Sequence, residues 1–156
     1  MALKAGVKAP DFTAMDQDEK KIKLSDFKGQ WVVLYFYPRD NTSGCTIEAQ
    51  DFTKQLKAFE KLNAQVLGVS PDSSKSHCKF IESKKLKVRL ISDGDHKVLE
   101  KYGVWQLKKN YGREYQGVVR TTVLIDPQGK IAHIWEKVKV KGHVDDVRAA
   151  LKELSA

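Results

Sequence analysis

The stretch that most constrains the fold is an unbroken apolar run, Trp31–Phe36. An apolar run of this length without alternation is typical of a strand that is buried on both faces of a sheet. Pro38 cannot donate to a sheet ladder, and residues 41–44, Asn-Thr-Ser-Gly, have the composition of a turn followed by a helix cap. The strand is therefore predicted to end here and a helix to begin near Cys45.

The helix predicted from Cys45 to about Asn63 carries apolar residues at helical spacing: Phe52, Leu56, Phe59 and Leu62. Cys45 would lie in its first turn, where unpaired backbone N–H groups and the positive end of the helix dipole favour an anion. A thiolate gains over a thiol in such a position, whereas a buried structural cysteine is more typical of the apolar face in mid-helix. The placement indicates a reactive cysteine.

The rest of the chain completes a predicted single α/β domain, residues 1–156. A short apolar strand over 65–70 makes a parallel βαβ unit with the first strand and helix. The other predicted elements are an N-terminal hairpin within 11–24, a helical turn near 25–29, helices over 74–84 and 96–102, a strand over 89–92, a hairpin of 118–125 and 130–135, and a C-terminal helix through Val144, Val147, Leu151 and Leu154. Residues 105–117 lack clean periodicity and are predicted to be an exposed loop. This order of elements is that of a thioredoxin-like domain with an added N-terminal hairpin.

Composition and charge narrow the possible partners. The formal net charge is +8, but the lysines are distributed along the whole chain without a nucleic-acid-binding signature, which favours a solvated basic surface. No signal peptide and no apolar run long enough to cross a bilayer are present, so we expect a cytoplasmic protein without membrane contact. Two cysteines in such a chain point to thiols in a reducing compartment. The four histidines and the cysteines lack metal-ligand spacing, so no metal, haem or other cofactor is implied.

The pattern Pro38-x-x-x-Thr42-x-x-Cys45 matches the active-site motif of the peroxiredoxins. The wider run 36–49 closely resembles the bacterioferritin-comigratory-protein (peroxiredoxin Q) subfamily. Further matches are Asp93-Gly94, residues 117–126 with Gly129, and residues 138–143. The resemblance covers essentially the whole chain, and its motifs are highly specific.

This resemblance implies a thioredoxin-fold thiol peroxidase that reduces hydrogen peroxide and organic hydroperoxides. It implies that Cys45 is the peroxidatic cysteine, that Thr42 hydrogen-bonds the thiolate and the peroxide, and that Pro38 shields the pocket. Arg120 falls on the active-site arginine of the family. The subfamily is often monomeric, and thioredoxin is the reductant that the resemblance implies.

The chemistry accounts for these residue types independently. A thiolate attacks one peroxide oxygen while charge develops on the other, and Arg120 can stabilise a thiolate without being able to lose its own charge. Arg120 lies between apolar residues, so it would be close to burial and would need an anionic partner. Glu48, one turn after Cys45, could pair with Arg39 or Arg120.

A dithiol oxidoreductase is disfavoured by the same region of the chain. No Cys-x-x-Cys is present, and Thr121 stands where a thioredoxin would carry proline.

Cys78 is the point at which the chain departs from the commonest family pattern. Many members carry the resolving cysteine five residues after the peroxidatic one, and that position is Gln50 here. Other members of the subfamily have a resolving cysteine on the next helix, where Cys78 is predicted to lie. Cys78 could therefore resolve Cys45, with the first helical turn unwinding after oxidation, or it could be incidental in a one-cysteine enzyme.

Two further classes of function remain open from the sequence. The protein could be a peroxide sensor or relay that passes its oxidation to a partner protein. It could also be a basic binding module in which Cys45 is incidental. Turnover of peroxide with a reductant would identify an enzyme, and a nucleic-acid affinity that falls steeply with salt would identify the binding module.

Overall fold

The computed structural model describes residues 3–156 of the chain. A short 3-10 helix, Leu24–Phe27, precedes the buried strand. The strands and helices are β1 (Thr13–Asp16), β2 (Lys21–Lys23), β3 (Trp31–Phe36), α1 (Ser43–Lys61), β4 (Ala64–Ser70), α2 (Ser74–Lys84), β5 (Arg89–Ser92), α3 (Lys97–Lys101), β6 (Trp105–Asn110), β7 (Arg113–Val118), β8 (Thr121–Ile125), β9 (Ile131–Trp135) and α4 (His143–Leu154). The predicted strand at 31–36, helix at 74–84 and strand at 89–92 are confirmed with the predicted bounds, and the other predicted helices are confirmed to within two residues.

A mixed seven-stranded sheet forms the centre of the molecule, in the order β2-β1-β5-β4-β3-β8-β9. Strand β3 pairs in parallel with β4, and β4 pairs in parallel with β5, which confirms the predicted βαβ unit. The predicted hairpins β1–β2 and β8–β9 extend the sheet at its two ends, and both are antiparallel.

The side chains of β3 alternate between two apolar cores, one on each face of the sheet. Leu34 and Phe36 pack with the 3-10 helix and α3, whereas Val33 and Tyr35 pack with α1, α2 and α4. All four side chains are fully buried. Burial on both faces explains why the run has no alternation of polar and apolar residues.

The prediction of an exposed loop at 105–117 is wrong, because these residues form the antiparallel hairpin β6–β7. The pair stands apart from the main sheet, and most of its described side chains are exposed. A two-stranded ribbon with solvent on both faces needs no apolar alternation, so the period that identifies a strand is missing. The two-residue turn Tyr111-Gly112 has positive φ at both positions, as tight hairpin turns require.

The segment predicted as one strand, 118–125, is interrupted at Val119 and Arg120. β8 begins at Thr121, which lies opposite Phe36 at the end of β3 in the antiparallel register. This register places Arg120 beside the chain that leaves β3 and leads into α1. The topology therefore brings the arginine to the beginning of the helix that carries Cys45.

Candidate active site

Cys45 is the third residue of α1 and is only 1% exposed. The N-cap residue Thr42 makes no side-chain capping bond, because its hydroxyl donates to the carbonyl of Arg39 at 2.8 Å. The backbone N–H groups of the first turn thus remain available to an anion in front of the helix. The sulfur lies where both the helix dipole and these N–H groups favour negative charge.

Arg120 joins the cysteine to an acid through one guanidinium group. Its Nη2 donates to Cys45 Sγ at 3.2 Å, and its Nη1 donates to Glu48 Oε1 at 2.6 Å. The arginine side chain is 16% exposed, and the glutamate side chain is fully buried. Of the two partners that the sequence left open for Glu48, the structure places Arg120 in contact with it, whereas Arg39 is exposed.

Burial and the neighbouring charges shift the pKa values of Glu48 and Arg120. Burial raises the pKa of Glu48 to about 7, although Arg120 acts in the opposite direction. Burial alone would lower the pKa of Arg120, but Glu48 and Cys45 outweigh it, and the net direction is upward. Arg120 is therefore a permanent cation, and Glu48 is an acid whose charge changes near neutral pH.

Gly44 gives Arg120 room to approach the sulfur. A Cβ atom at this position would lie 3.3 Å from Arg120 Nη2 and 3.9 Å from Val140 Cγ2. Such a contact is closer than an unstrained packing distance between these atoms, so any larger residue would press on the guanidinium.

Pro38 and Thr42 belong to the loop that joins β3 to α1. Pro38 is half-buried at the start of the loop after β3, and Thr42 is exposed. Because the Thr42 hydroxyl donates its hydrogen to a backbone carbonyl, its oxygen keeps its lone pairs for a donor from outside.

Cys78 lies on α2, is exposed, and donates its thiol hydrogen to the carbonyl of Gln17 at 2.9 Å. Gln17 belongs to the turn between β1 and β2. Both cysteines are free, so the structure does not bring Cys78 into a bond with Cys45.

A polar network behind the loop was missed by the sequence analysis. The carboxylate of Asp40 accepts from Tyr37 Oη at 2.6 Å and from Ser76 Oγ at 2.7 Å, and it lies 2.8 Å from His77 Nδ1. His77 is fully buried. A buried histidine needs polar partners, and this need is the sequence signal that could have pointed to the network.

Within residues 3–156, no group of three or more His, Cys, Asp or Glu side chains is arranged to hold a metal ion. None of the helices in this part of the chain is both long enough and apolar enough to cross a membrane.

Comparison with known proteins shows similarity along almost the entire chain. The model of the AhpC/TSA family matches residues 5–134. The chain is 47% identical to Peroxiredoxin Bcp of Bacillus subtilis (strain 168) over 155 residues, which cover 99% of both chains. It is 42% identical to Peroxiredoxin Bcp of Escherichia coli (strain K12) over 151 residues, which cover 97% of both.

Solved structures give the same relationship in three dimensions. A structure of the bacterioferritin comigratory protein of Xanthomonas campestris, described as a study of its alkyl peroxide reduction activity, superposes with a TM-score of 0.92 at 38% identity and covers 98% of this chain and 100% of its own. A cysteine-to-serine mutant of Xylella fastidiosa PrxQ superposes with a TM-score of 0.94 at 36% identity and covers 100% of this chain and 99% of its own.

Proposed function

Because the chain belongs to the AhpC/TSA family and is a peroxiredoxin, a thiol peroxidase with a thioredoxin-like fold, we propose that Cys45 is its peroxidatic nucleophile. The observation that carries this proposal is the 3.2 Å contact between Arg120 Nη2 and Cys45 Sγ, in a buried site at a helix start. A fixed cation beside the sulfur and the positive end of the helix dipole favour the thiolate, which is the form that attacks.

In the proposed reaction the Cys45 thiolate attacks the terminal oxygen of a hydroperoxide. An S–O bond forms as the O–O bond breaks, Cys45 becomes a sulfenic acid, and the released alkoxide or hydroxide takes a proton to become an alcohol or water. Arg120 and the first-turn N–H groups stabilise the developing charge. The Thr42 oxygen accepts a hydrogen bond from the substrate O–H, and Pro38 limits the access of water.

The substrate of the family is a hydroperoxide, and we extend this here to both hydrogen peroxide and organic hydroperoxides. Support comes from the Xanthomonas relative, whose structure is described with alkyl peroxide reduction activity.

We further propose that Cys78 resolves the sulfenic acid. Its thiol condenses with Cys45 S–OH, forming the S–S bond and releasing water, and a dithiol protein such as thioredoxin restores both thiols by exchange. Cys78 is exposed and therefore reachable by a partner, whereas Cys45 is buried. The Xanthomonas protein was also studied as two single cysteine mutants. The two mutated positions lie 36 residues apart in that chain, and Cys45 and Cys78 lie 33 residues apart here.

The decisive experiment is mass analysis after one equivalent of hydroperoxide, with free thiols trapped under denaturing conditions. Linked Cys45 and Cys78 peptides in a monomer that has lost two hydrogens would support the complete cycle. Oxygen added at Cys45 with Cys78 still alkylatable would favour a one-cysteine enzyme or a relay, and no change at Cys45 would overturn the proposal. Cys78→Ser is the matched control, because it should retain the oxidation of Cys45 and lose the disulfide.

We also propose that the protein is a monomer in a reducing compartment such as the cytoplasm. The two free thiols fit such a compartment. The exposed large apolar side chains are distributed over several elements: Val7, Met15, Ile47, Leu107, Tyr111, Tyr115 and Leu154. Light scattering on the reduced and the oxidised protein tests the oligomeric state.

A further inference from the structure

The loop that leads into Cys45 is tied to the start of α2 through Asp40. The Asp40 N–H donates to Asp72 Oδ2 at 2.8 Å, its Oδ1 accepts from Tyr37, and its Oδ2 accepts from Ser76 and faces His77. Asp40 is 6% exposed, so water has little access to replace these bonds. A buried carboxylate held in this way is expensive to release, because each lost partner leaves a desolvated group behind.

His77 is held on both sides of its ring. Its Nε2 lies 3.0 Å from the carbonyl oxygen of Ile91 on β5, which can only accept, so Nε2 carries a hydrogen. Its Nδ1 lies 2.8 Å from Asp40 Oδ2. The imidazole therefore links the main sheet to the loop through the first turn of α2.

The position of Asp40 determines where α1 begins. Asn41 follows in the left-handed region with φ 62°, and the N-cap Thr42 comes next. With only one residue between the anchored aspartate and the cap, a displacement of Asp40 would move Thr42 and the first-turn N–H groups in front of Cys45. Peroxide attack requires these groups at close and fixed distances.

The same network adjoins both cysteines along the chain, because Asp40 precedes Cys45 by five residues and His77 directly precedes Cys78. Cys78 follows His77 directly, so the two side chains point about 100° apart around α2. His77 faces Asp40 in the core, whereas Cys78 contacts Gln17 at the surface. Joining Cys78 to the buried Cys45 therefore requires the loop or the start of α2 to move.

We propose that Asp40 and His77 are positioning residues that form a latch between the loop of Cys45 and α2. The latch rests on the proposed roles of Cys45 and Cys78. While it is closed, Cys45 reacts rapidly with hydroperoxide. Its opening allows the sulfenic acid to condense with Cys78, releasing water. A sulfenic acid that stays in the closed site can instead take an oxygen from a second hydroperoxide, which forms sulfinic acid and an alcohol.

Two isosteric changes test the latch. Asp40→Asn keeps the shape of the side chain but replaces one of its two accepting oxygens by an N–H₂ donor, so the hydrogen bond that Tyr37 Oη or Ser76 Oγ donates to that atom must be reversed or lost. His77→Gln keeps an N–H₂ group near the Ile91 carbonyl and loses the contact with Asp40, whereas His77→Asn keeps an amide beside Asp40 and loses the contact with the Ile91 carbonyl. Glu82→Gln, an exposed site on the same helix, controls for the charge change.

The first readout is the rate of Cys45 oxidation by hydroperoxide, followed by stopped-flow in the Cys78→Ser background. The second is the ratio of Cys45–Cys78 disulfide to Cys45 sulfinic acid at a fixed excess of hydroperoxide. Val98→Ala, in the core on the other face of the sheet, provides a variant with a comparable loss of thermal stability.

Asp40→Asn and His77→Gln should slow the first step about fivefold or more and raise the disulfide-to-sulfinic ratio several-fold. Glu82→Gln should remain close to wild type, and His77→Asn should show a smaller shift than His77→Gln. Unchanged values in Asp40→Asn, or the same shift in Val98→Ala, would overturn the latch. If wild type forms no Cys45–Cys78 disulfide, the resolving role of Cys78 fails, and the first-step rate alone then decides whether Asp40 and His77 position the site.

Discussion

Glu48→Gln should change how the stability of the reduced protein depends on pH. Burial raises the pKa of Glu48 from its ordinary value of 4.5 to about 7, although Arg120 acts in the opposite direction. Between these two values the folded protein holds a proton that the unfolded chain has released. The wild-type protein is therefore stabilised by the neutral Glu48 at low pH, and it loses this stabilisation as the pH rises through 7.

The magnitude follows from the size of the shift. Each pKa unit corresponds to about 1.4 kcal/mol, so ionising Glu48 in the folded state costs roughly 3 kcal/mol of unfolding free energy by pH 8. Glutamine has the same shape and does not titrate. The unfolding free energy of Glu48→Gln minus that of wild type should therefore rise by roughly 3 kcal/mol between pH 4.5 and pH 8.

Urea unfolding at intervals across this range, under reducing conditions, measures the difference. Introducing Cys45→Ser into both proteins removes the thiol, which is the other partner of Arg120. A constant offset between the two proteins is compatible with the new amide, which leaves an N–H₂ near the unpartnered position of Oε2. A difference that does not vary with pH would refute the reasoning.

Three further predictions follow from the same region. Arg120→Lys should lower the peroxide rate of Cys45 about 100-fold in stopped-flow assays, because an ammonium cannot reproduce the two N–H donors of the guanidinium. Gly44→Ala should slow the same reaction severalfold while leaving the melting temperature equal or higher, since alanine favours the helix but presses on Arg120. Burial lowers the pKa of His143 to about 4, so the fold loses stability as the pH falls from about 6.5 toward 4. His143→Gln should therefore flatten the acid limb of the urea-unfolding profile by up to about 2 kcal/mol. A steeper acid limb would contradict this sign.

The elements that are buried in the main sheet could be predicted from the sequence. The hairpin that is solvated on both faces could not. Trp31–Phe36 was readable as a buried strand, because a short and unbroken apolar run of this length is typical of the centre of a sheet. The hairpin β6–β7 has no such constraint. Its clearest local signal was the turn at Tyr111-Gly112, where glycine favours a positive φ. The periodicity of apolar residues gives no information about such a turn.

Some features of the site depend on neighbouring residues along the chain and could be predicted, whereas others depend on contacts between distant residues and could not. The position of Cys45 at a helix start was readable, since it depends on neighbouring residues along the chain. The need of Arg120 for an anionic partner was also readable from its apolar neighbours. The pairing of Asp40 with His77 was not, because helical periodicity predicts which residues are buried and gives no information about which distant side chain meets them.

The shared arginine explains how one site can serve a charged and an uncharged sulfur. With Cys45 as thiolate, Arg120 has two anions to bind when Glu48 is ionised. When Cys45 becomes a neutral sulfenic acid, the 2.6 Å bond to Glu48 remains, so the largely buried cation is not left without a partner. Without Glu48, departure of Cys45 toward Cys78 would leave an unpaired charge and would be opposed by its full desolvation cost. In the proposed cycle the glutamate would thus allow the oxidised cysteine to leave Arg120, while its own buried charge lowers the stability of the reduced fold above neutral pH.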